Sequence, residues 1–170
     1  RYYHKLGLYE RTGVDLPGEA NSIMHKLDKI GAVELATMSF GQSIQITPLQ
    51  LMRAVSAGIN GGRLVTPHFA LEKKNPVTKE ITEYEYKEKV GAVSKETSQT
   101  LREVLEAVVA EGTGKNGQVE GYRVGGKTAT SEKLPRRSGK YISSFLGFAP
   151  ANHPKILGLV LIDEPQGTYY

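Results

Sequence analysis

The chain has no cysteine among its 170 residues. That removes disulfides, thiolate nucleophiles and cysteine-based metal sites, while leaving the compartment open. Histidine is scarce too. His4, His25, His68 and His153 are widely separated, and no two sit at helical i, i+4 spacing. A metal would need ligands gathered from distant segments, so the four are read as solvated or hydrogen-bonded surface residues. Neither metal nor cofactor is expected. No apolar run approaches the 18 or so residues of a membrane span. The first residue is Arg1 and not a start methionine, which reads as a fragment or processed product. Any signal or anchor segment is then expected upstream. A dense basic stripe with interleaved aromatics is also missing. The 22 basic and 18 acidic residues are well mixed, so nucleic acid is not an expected partner. The net charge of +4 suits anionic partners such as carboxylate substrates, an anionic wall or a membrane surface.

What is present suffices for a folded domain. Apolar residues make up 39% of the chain and recur periodically, and the length allows one ordinary core. Thr12-Gly-Val-Asp-Leu-Pro-Gly-Glu19 is dense in turn residues and reads as a structured loop. Residues 22–46 are mixed, with the apolar stretch Ala32-Val-Glu-Leu-Ala36 inside them. At Thr47 a helix is well signalled. Thr47 is a candidate N-cap, Pro48 occupies the first helical position and Gln50 completes a capping box. Leu49, Met52, Val55 and Ile59 then form an apolar stripe that Gly61-Gly62 stops. Arg63 to Leu71 reads as a strand. The charged stretch from Glu72 to Val90 turns at Asn75-Pro76, and Tyr84 and Tyr86 suggest a solvated strand or hairpin there.

A second helix is expected from near Ser94. Leu101, Val104, Leu105, Val108 and Val109 give it a wide apolar face, and Glu111-Gly-Thr-Gly114 ends it. Three strands complete the chain, over Gly121–Thr130, Lys140–Pro150 and Lys155–Asp163, the last two joined by Ala151-Asn-His-Pro154. Helices and antiparallel strands are segregated and do not alternate, which is an α+β arrangement in a single piece.

The chemistry centres on Val124-Gly-Gly-Lys127-Thr128-Ala129-Thr130. A cation beside two hydroxyls, on backbone that glycines leave uncovered, is suited to gripping a carboxylate. The same letters fit G-x-x-x-x-G-K-[ST] from Gly121 to Thr128, the phosphate-loop pattern. Context rejects that fit. Glu111 to Glu120 upstream is polar and glycine-rich with no apolar strand, and Pro135 and Gly139 downstream leave no room for the helix such a loop needs. In a strand, Lys127 and Ala129 share one face and Thr128 and Thr130 the other. On a sheet edge, the strand could pair with an extended peptide and offer a terminal N–H as an oxyanion donor. An exposed lysine in an ordinary strand fits the same residues.

Other conspicuous residues keep plain readings. Lys133, Arg136, Arg137 and Lys140 form a basic loop, read as solvated although it could meet anionic wall polymer. Asp163 and Glu164 are adjacent, so in a strand they would face opposite sides and could not work as a pair. Ser143 and Ser144, in a strand with no base nearby, read as structural.

Taken in order, Thr12 to Glu19, Ser39-Phe-Gly-Gln-Ser43, Thr47-Pro-Leu-Gln50, Asn60-Gly-Gly62 and Gly125-Gly-Lys-Thr-Ala-Thr130 resemble the class B penicillin-binding proteins. These are peptidoglycan D,D-transpeptidases related to the serine β-lactamases. The tail, Tyr141-Ile-Ser-Ser-Phe-Leu-Gly-Phe-Ala-Pro150 through Asp163-Glu-Pro-Gln-Gly167, is similar to the sporulation-specific members of Gram-positive spore formers. The family carries Ser-x-x-Lys, Ser-x-Asn and Lys-Thr-Gly signatures. No serine here has Lys three residues on or Asn two residues on, so only the third has a counterpart. The resemblance implies the C-terminal part of a transpeptidase domain, with a β-lactamase/transpeptidase-like antiparallel sheet flanked by helices. Its nucleophile would lie upstream of Arg1, and this piece alone would be inactive. It implies that Lys127 completes the active-site hydrogen-bond network and holds the substrate carboxylate, with Thr128 and Thr130 contributing hydroxyls. The Thr130 N–H would be half of the oxyanion hole. It implies stem peptides ending in D-Ala-D-Ala and β-lactams as ligands. It also implies a place on the extracytoplasmic face of the bacterial membrane, anchored by a segment outside this chain. Ala129 departs from the family's usual Gly and puts a methyl where substrate must approach.

Overall fold

A computed structural model describes residues 1–135 and 137–167. The chain falls into two compact units. One comprises Arg1–Gly58 and Gly62–Val93; the other comprises Ile59–Gly61 and the residues from Ser94 onward.

The first unit holds α1 (Tyr2–Lys5), α2 (Ala32–Ser39), nearly all of α3 (Pro48–Ile59) and a hairpin of β1 (Glu72–Lys74) with β2 (Ile81–Glu83). The capping box at the start of α3 forms as expected. Gln50 N–H donates to Thr47 Oγ1 at 3.1 Å, and Thr47 N–H to Gln50 Oε1 at 2.9 Å. The buried face of α3 matches the expected stripe only at Ile59, which is buried. Its other deepest residues are Gln50, Arg53, Ala54 and Ala57, while Leu49, Met52 and Val55 are half-buried. The physical reason is a set of main-chain carbonyls with no sheet partner, which must be satisfied when buried. Gln50 Nε2 donates to Glu10 O at 2.8 Å, and Arg53 donates to Val65 O at 2.9 Å and Arg11 O at 3.3 Å. Polar side chains therefore take the positions that apolar ones would fill against a sheet.

For the same reason Arg63–Leu71 is not a strand. A single bridge joins Leu64 to Lys89, and side chains serve the backbone beyond it. The Asp15 carboxylate accepts from the N–H groups of Phe69 at 2.9 Å and Ala70 at 2.8 Å, and from Tyr86 Oη at 3.0 Å. Glu19 closes its own loop, accepting from Thr12 N–H and Oγ1, each at 2.6 Å, and from Gly13 N–H at 3.1 Å. The Thr12–Glu19 segment is thus a loop stapled by two carboxylates. The β1–β2 hairpin is fully exposed and turns at Asn75, as expected. The helix α2 covers the apolar Ala32–Ala36 stretch, whose sequence alone specifies no element. Gly62 sits at φ +88°, and a Cβ there would lie 2.1 Å from Val93 O, so only glycine fits. The small core of this unit is Ala57, Leu64 and Ala92, with Leu6 packed on it.

In the second unit α4 (Lys95–Ala110) is capped by Ser94, whose Oγ accepts from Thr97 N–H at 3.1 Å. A three-stranded antiparallel sheet follows, in the order β3 (Gly125–Glu132), β4 (Tyr141–Ala149), β5 (Ile156–Asp163). Its core joins Ile59, Phe148 and Ala151 to Leu105 and Leu157. Only part of the expected α4 face is covered, since Leu101 and Val104 are 36% and 55% exposed.

The strand β3 starts at Gly125 and not at Gly121. Gly121 is in a turn at φ +80°, and the Arg123 guanidinium is held on Glu106 at 2.6 and 2.7 Å. β3 runs on to Glu132. Asp163 and Glu164 do not diverge as expected. Glu164 leaves the strand at φ +49°, and both carboxylates reach Lys133 Nζ, at 2.9 and 2.8 Å. With Lys140 also on Glu164, two of the four basic-loop residues are neutralised. Arg136 lies outside the described residues.

Candidate functional site

Alternating main-chain direction decides what β3 can offer. The register pairs Lys127 with Leu146, Thr128 with Phe145, Ala129 with Ser144 and Thr130 with Ser143. In an antiparallel ladder, residues alternate between those that bond the neighbouring strand and those whose N–H and C=O point away. Just past Glu132, Lys133 N–H donates to Lys140 O at 2.8 Å, in the same register. Odd-numbered residues of β3 therefore bond β4, and the main-chain groups of Thr128 and Thr130 face the other way. β3 has no second neighbouring strand among the described residues. The peptide groups on either side of Ala129 thus lie on an open sheet edge.

The side chains there follow from the same geometry. Lys127 is exposed, and its Nζ donates to Thr128 O at 2.7 Å, with Thr128 Oγ1 at 3.4 Å. The ammonium therefore hangs over the open edge and not over the β4 side. Thr128 Oγ1 donates to Thr113 Oγ1 at 3.3 Å. Ala129 and Thr130 are exposed, and Ser144 Oγ donates to Ala129 O at 3.3 Å from the paired strand. Lys127, Thr128 and the Thr130 main chain are brought together; the Ala129 methyl lies on the Lys127 face of the strand.

Two glycines make the close packing behind Lys127 possible. A Cβ at Gly126 would lie 2.7 Å from Leu146 O and 2.7 Å from the Phe145 ring. One at Gly125 would lie 2.3 Å from the Phe148 ring. The Phe145 ring also covers Gly117 and Gly147, so three glycines form its seat.

The turn before β3 is fixed as firmly. Gly112 N–H and Gly114 N–H both donate to Val108 O, at 3.1 and 3.0 Å. Gln118 Nε2 donates to Val109 O at 3.0 Å and Ala110 O at 2.9 Å. Those bonds satisfy carbonyls that a helix C-terminus leaves open. Thr113, at the crest of this turn, was missed by sequence reasoning. The available signal is a hydroxyl between two glycines, in a stretch that by itself reads as a helix stop.

Beyond the strand, the hydrogen bonds that Lys133 donates to Glu164 and Asp163 raise its pKa, and Lys133 and Lys140 in turn lower that of Glu164. This cluster ties the loop after β3 to the end of β5. Among the described residues no group of His, Asp and Glu side chains could hold a metal ion. His4 stacks on Tyr9 and His68 on Tyr86, at centroid separations of 4.2 and 3.9 Å. The phosphate-loop pattern is spent in a turn and an edge strand, and among the described residues no helix follows Thr128. No helix of the described residues is long and apolar enough to cross a membrane.

Three comparisons bear on this arrangement. The model of the penicillin binding protein transpeptidase domain matches residues 1–170. Stage V sporulation protein D of Bacillus subtilis is 47% identical over 174 residues, covering 99% of this chain and 27% of that protein. Probable peptidoglycan D,D-transpeptidase PenA of Neisseria flavescens is 34% identical over 173 residues, covering 99% of this chain and 40% of the relative. This chain therefore spans well under half the length of either. Among solved structures, penicillin binding protein 3 of Mycobacterium tuberculosis superposes with a TM-score of 0.88 at 31% identity. The match covers 96% of this chain and 39% of that one, and the same protein has been crystallised with ampicillin and with aztreonam.

Proposed function

This chain belongs to the penicillin-binding protein transpeptidase family and has its β-lactamase/transpeptidase-like fold, and we propose that it supplies the substrate-binding edge strand of a peptidoglycan D,D-transpeptidase. The whole protein cross-links stem peptides ending in D-Ala-D-Ala through an acyl-serine intermediate, and β-lactams acylate the same serine. The observation that carries this reading is the open edge at Lys127, Thr128 and Thr130.

An extended peptide laid against β3 pairs with the outward main-chain groups of Thr128 and Thr130. Its terminal carboxylate meets the Lys127 ammonium, with the Thr128 and Thr130 hydroxyls as further donors. The Thr130 N–H polarises the carbonyl under attack and stabilises the charge that develops on its oxygen. The second oxyanion donor comes from the serine itself, in a segment outside this chain. The Ala129 methyl narrows the approach on the Lys127 face.

The missing partner of this piece has support in the sheet. Ile156, Val160 and Ile162 on one face of β5, and Leu161 on the other, are 46–72% exposed, and Leu101 and Val104 of α4 are exposed as well. Apolar side chains on both faces of a terminal strand are the mark of a sheet that continues. We read the chain as the C-terminal portion of one transpeptidase domain, completed by an upstream part bearing Ser-x-x-Lys and Ser-x-Asn. Alone it is inactive, and turnover of a D-Ala-D-Ala peptide by these 170 residues would contradict that. The whole protein works at the extracytoplasmic face of the membrane, anchored by another segment. Its 47% identity to Stage V sporulation protein D supports a sporulation role in a Gram-positive cell.

The test is the intact mass of the whole protein after incubation with penicillin. One penicilloyl adduct is expected, and its rate should collapse in Lys127→Ala. A folded whole protein that takes no adduct would replace this reading with a non-catalytic cell-wall scaffold.

A further inference from the structure

The hydroxyl of Thr113 is tied to the site by one contact, and its placement is not an accident of a loose loop. Both glycines flanking it donate to Val108 O, and a Cβ on Gly112 would come within 2.9 Å of that same oxygen. Gln118 locks the two carbonyls that follow. Thr113 therefore projects from a closed helix end, with its Oγ1 3.3 Å from Thr128 Oγ1.

A threonine hydroxyl has one proton and two lone pairs. Thr128 directs its proton to Thr113, which leaves its lone pairs for the Lys127 ammonium, 3.4 Å away. Without Thr113 the Thr128 hydroxyl would be free to rotate, and the ammonium would keep only the Thr128 carbonyl at 2.7 Å.

The geometry points to Thr113 as a positioning residue for carboxylate recognition: it orients the Thr128 hydroxyl, and through it the Lys127 ammonium, toward the anionic end of the substrate. This rests on the transpeptidase reading of the Lys127 strand. When a carboxylate accepts the hydrogen bond of the Thr128 hydroxyl, the Thr113 hydroxyl can turn and donate to Thr128 Oγ1, so the chain of hydroxyls stays satisfied in both states. Thr113 touches no reacting atom. Its contribution depends on the negative charge of the ligand, and that separates it from a residue that merely shapes the turn.

The experiment uses the whole protein and two probes, benzylpenicillin and its uncharged methyl ester, with acylation rates read by intact mass. Loss of one neutral hydrogen bond corresponds to roughly a threefold to tenfold effect. Thr113→Val should slow acylation by benzylpenicillin by that factor, through weaker binding and not a slower acylation step, and leave the methyl ester rate unchanged. Thr113→Ser should restore the rate for the acid. Combining Thr113→Val with Thr128→Val should add little to the Thr128 defect alone. Equal slowing of acid and ester, or a Thr113→Val protein as fast as the parent with both, would overturn the inference and leave the transpeptidase reading standing. A parent protein acylated by neither probe would overturn both together.

Discussion

Gly126→Ala is the sharpest test of how β3 is held. The added methyl carbon would sit 2.7 Å from Leu146 O, about 0.7 Å inside the 3.4 Å at which ordinary contact begins. Leu146 O belongs to the paired strand, so no rotamer change can move it away. The ring of Phe145, also at 2.7 Å, adds a second clash on the same atom. Overpacking of this kind costs about 1–3 kcal/mol. For a protein of this size that is a fall in Tm of roughly 2–12 °C. The strand must also shift beside Lys127, so penicillin acylation should slow even at temperatures where the variant is folded. Gly147→Ala provides the comparison. The three atoms nearest its new carbon all belong to the Phe145 ring, at 2.8–3.6 Å, and a ring can turn. Gly147→Ala should therefore be milder and be relieved by Phe145→Leu, whereas Gly126→Ala should not be. Thermal unfolding by circular dichroism and acylation by intact mass would read both. A Gly126→Ala protein with an unchanged Tm, or one fully rescued by Phe145→Leu, would refute the main-chain clash.

Ala129→Gly should speed penicillin acylation by up to about tenfold, since one methyl at a binding edge is worth that much; an unchanged rate would mean that the methyl lies clear of the ligand. Gln118→Ala should cost about 1 kcal/mol in a denaturant midpoint, because Val109 O and Ala110 O lose their donor. Burial works to raise the Glu19 pKa, but hydrogen bonds from Thr12 and Gly13, with the Arg11 charge, bring it below its ordinary value of 4.5. Bonds from the Ala70 and Phe69 N–H groups and Tyr86 likewise hold Asp15 below 3.8. Their stabilisation is complete above about pH 4.5 and is lost as pH falls through the lowered folded values. Glu19→Gln should flatten the acid limb of a Tm-against-pH curve and destabilise by about 1–3 kcal/mol at pH 7, because charged acceptors make the stronger bonds. A parallel acid limb in that variant would assign the acid sensitivity elsewhere.

The elements legible in the sequence are those whose signals are local. Thr47, Pro48 and Gln50 specify a helix start within four residues, and Ser94 does the same for α4. The two long strands flanking Ala151–Pro154 carry their own pattern and turn. What failed depended on distant partners. Arg63–Leu71 has strand-like composition, yet its N–H and C=O groups are claimed by Asp15 and Arg53, 54 or 55 residues away in the first case and 12 in the second. Periodicity could not foresee that Gln50 and Arg53 would occupy the buried face of α3. The Lys127 strand was legible as a motif, but its open edge followed only from the ladder register. Thr113 lies 15 residues from Thr128, and its tie to that residue exists only once the helix end is folded.

The two outer strands of the three-stranded sheet carry opposite kinds of side chain, and this bears on how the protein behaves when handled. The β3 edge bears a lysine and hydroxyls, which discourage another strand of the same protein from docking there by chance. The β5 edge bears Val160-Leu161-Ile162, uncharged and β-branched or bulky, with each residue about half exposed or more. Such a segment is a template for self-pairing into aggregates. The chain in isolation should therefore be prone to aggregate through that strand. A charged residue in place of Val160 should make it more soluble.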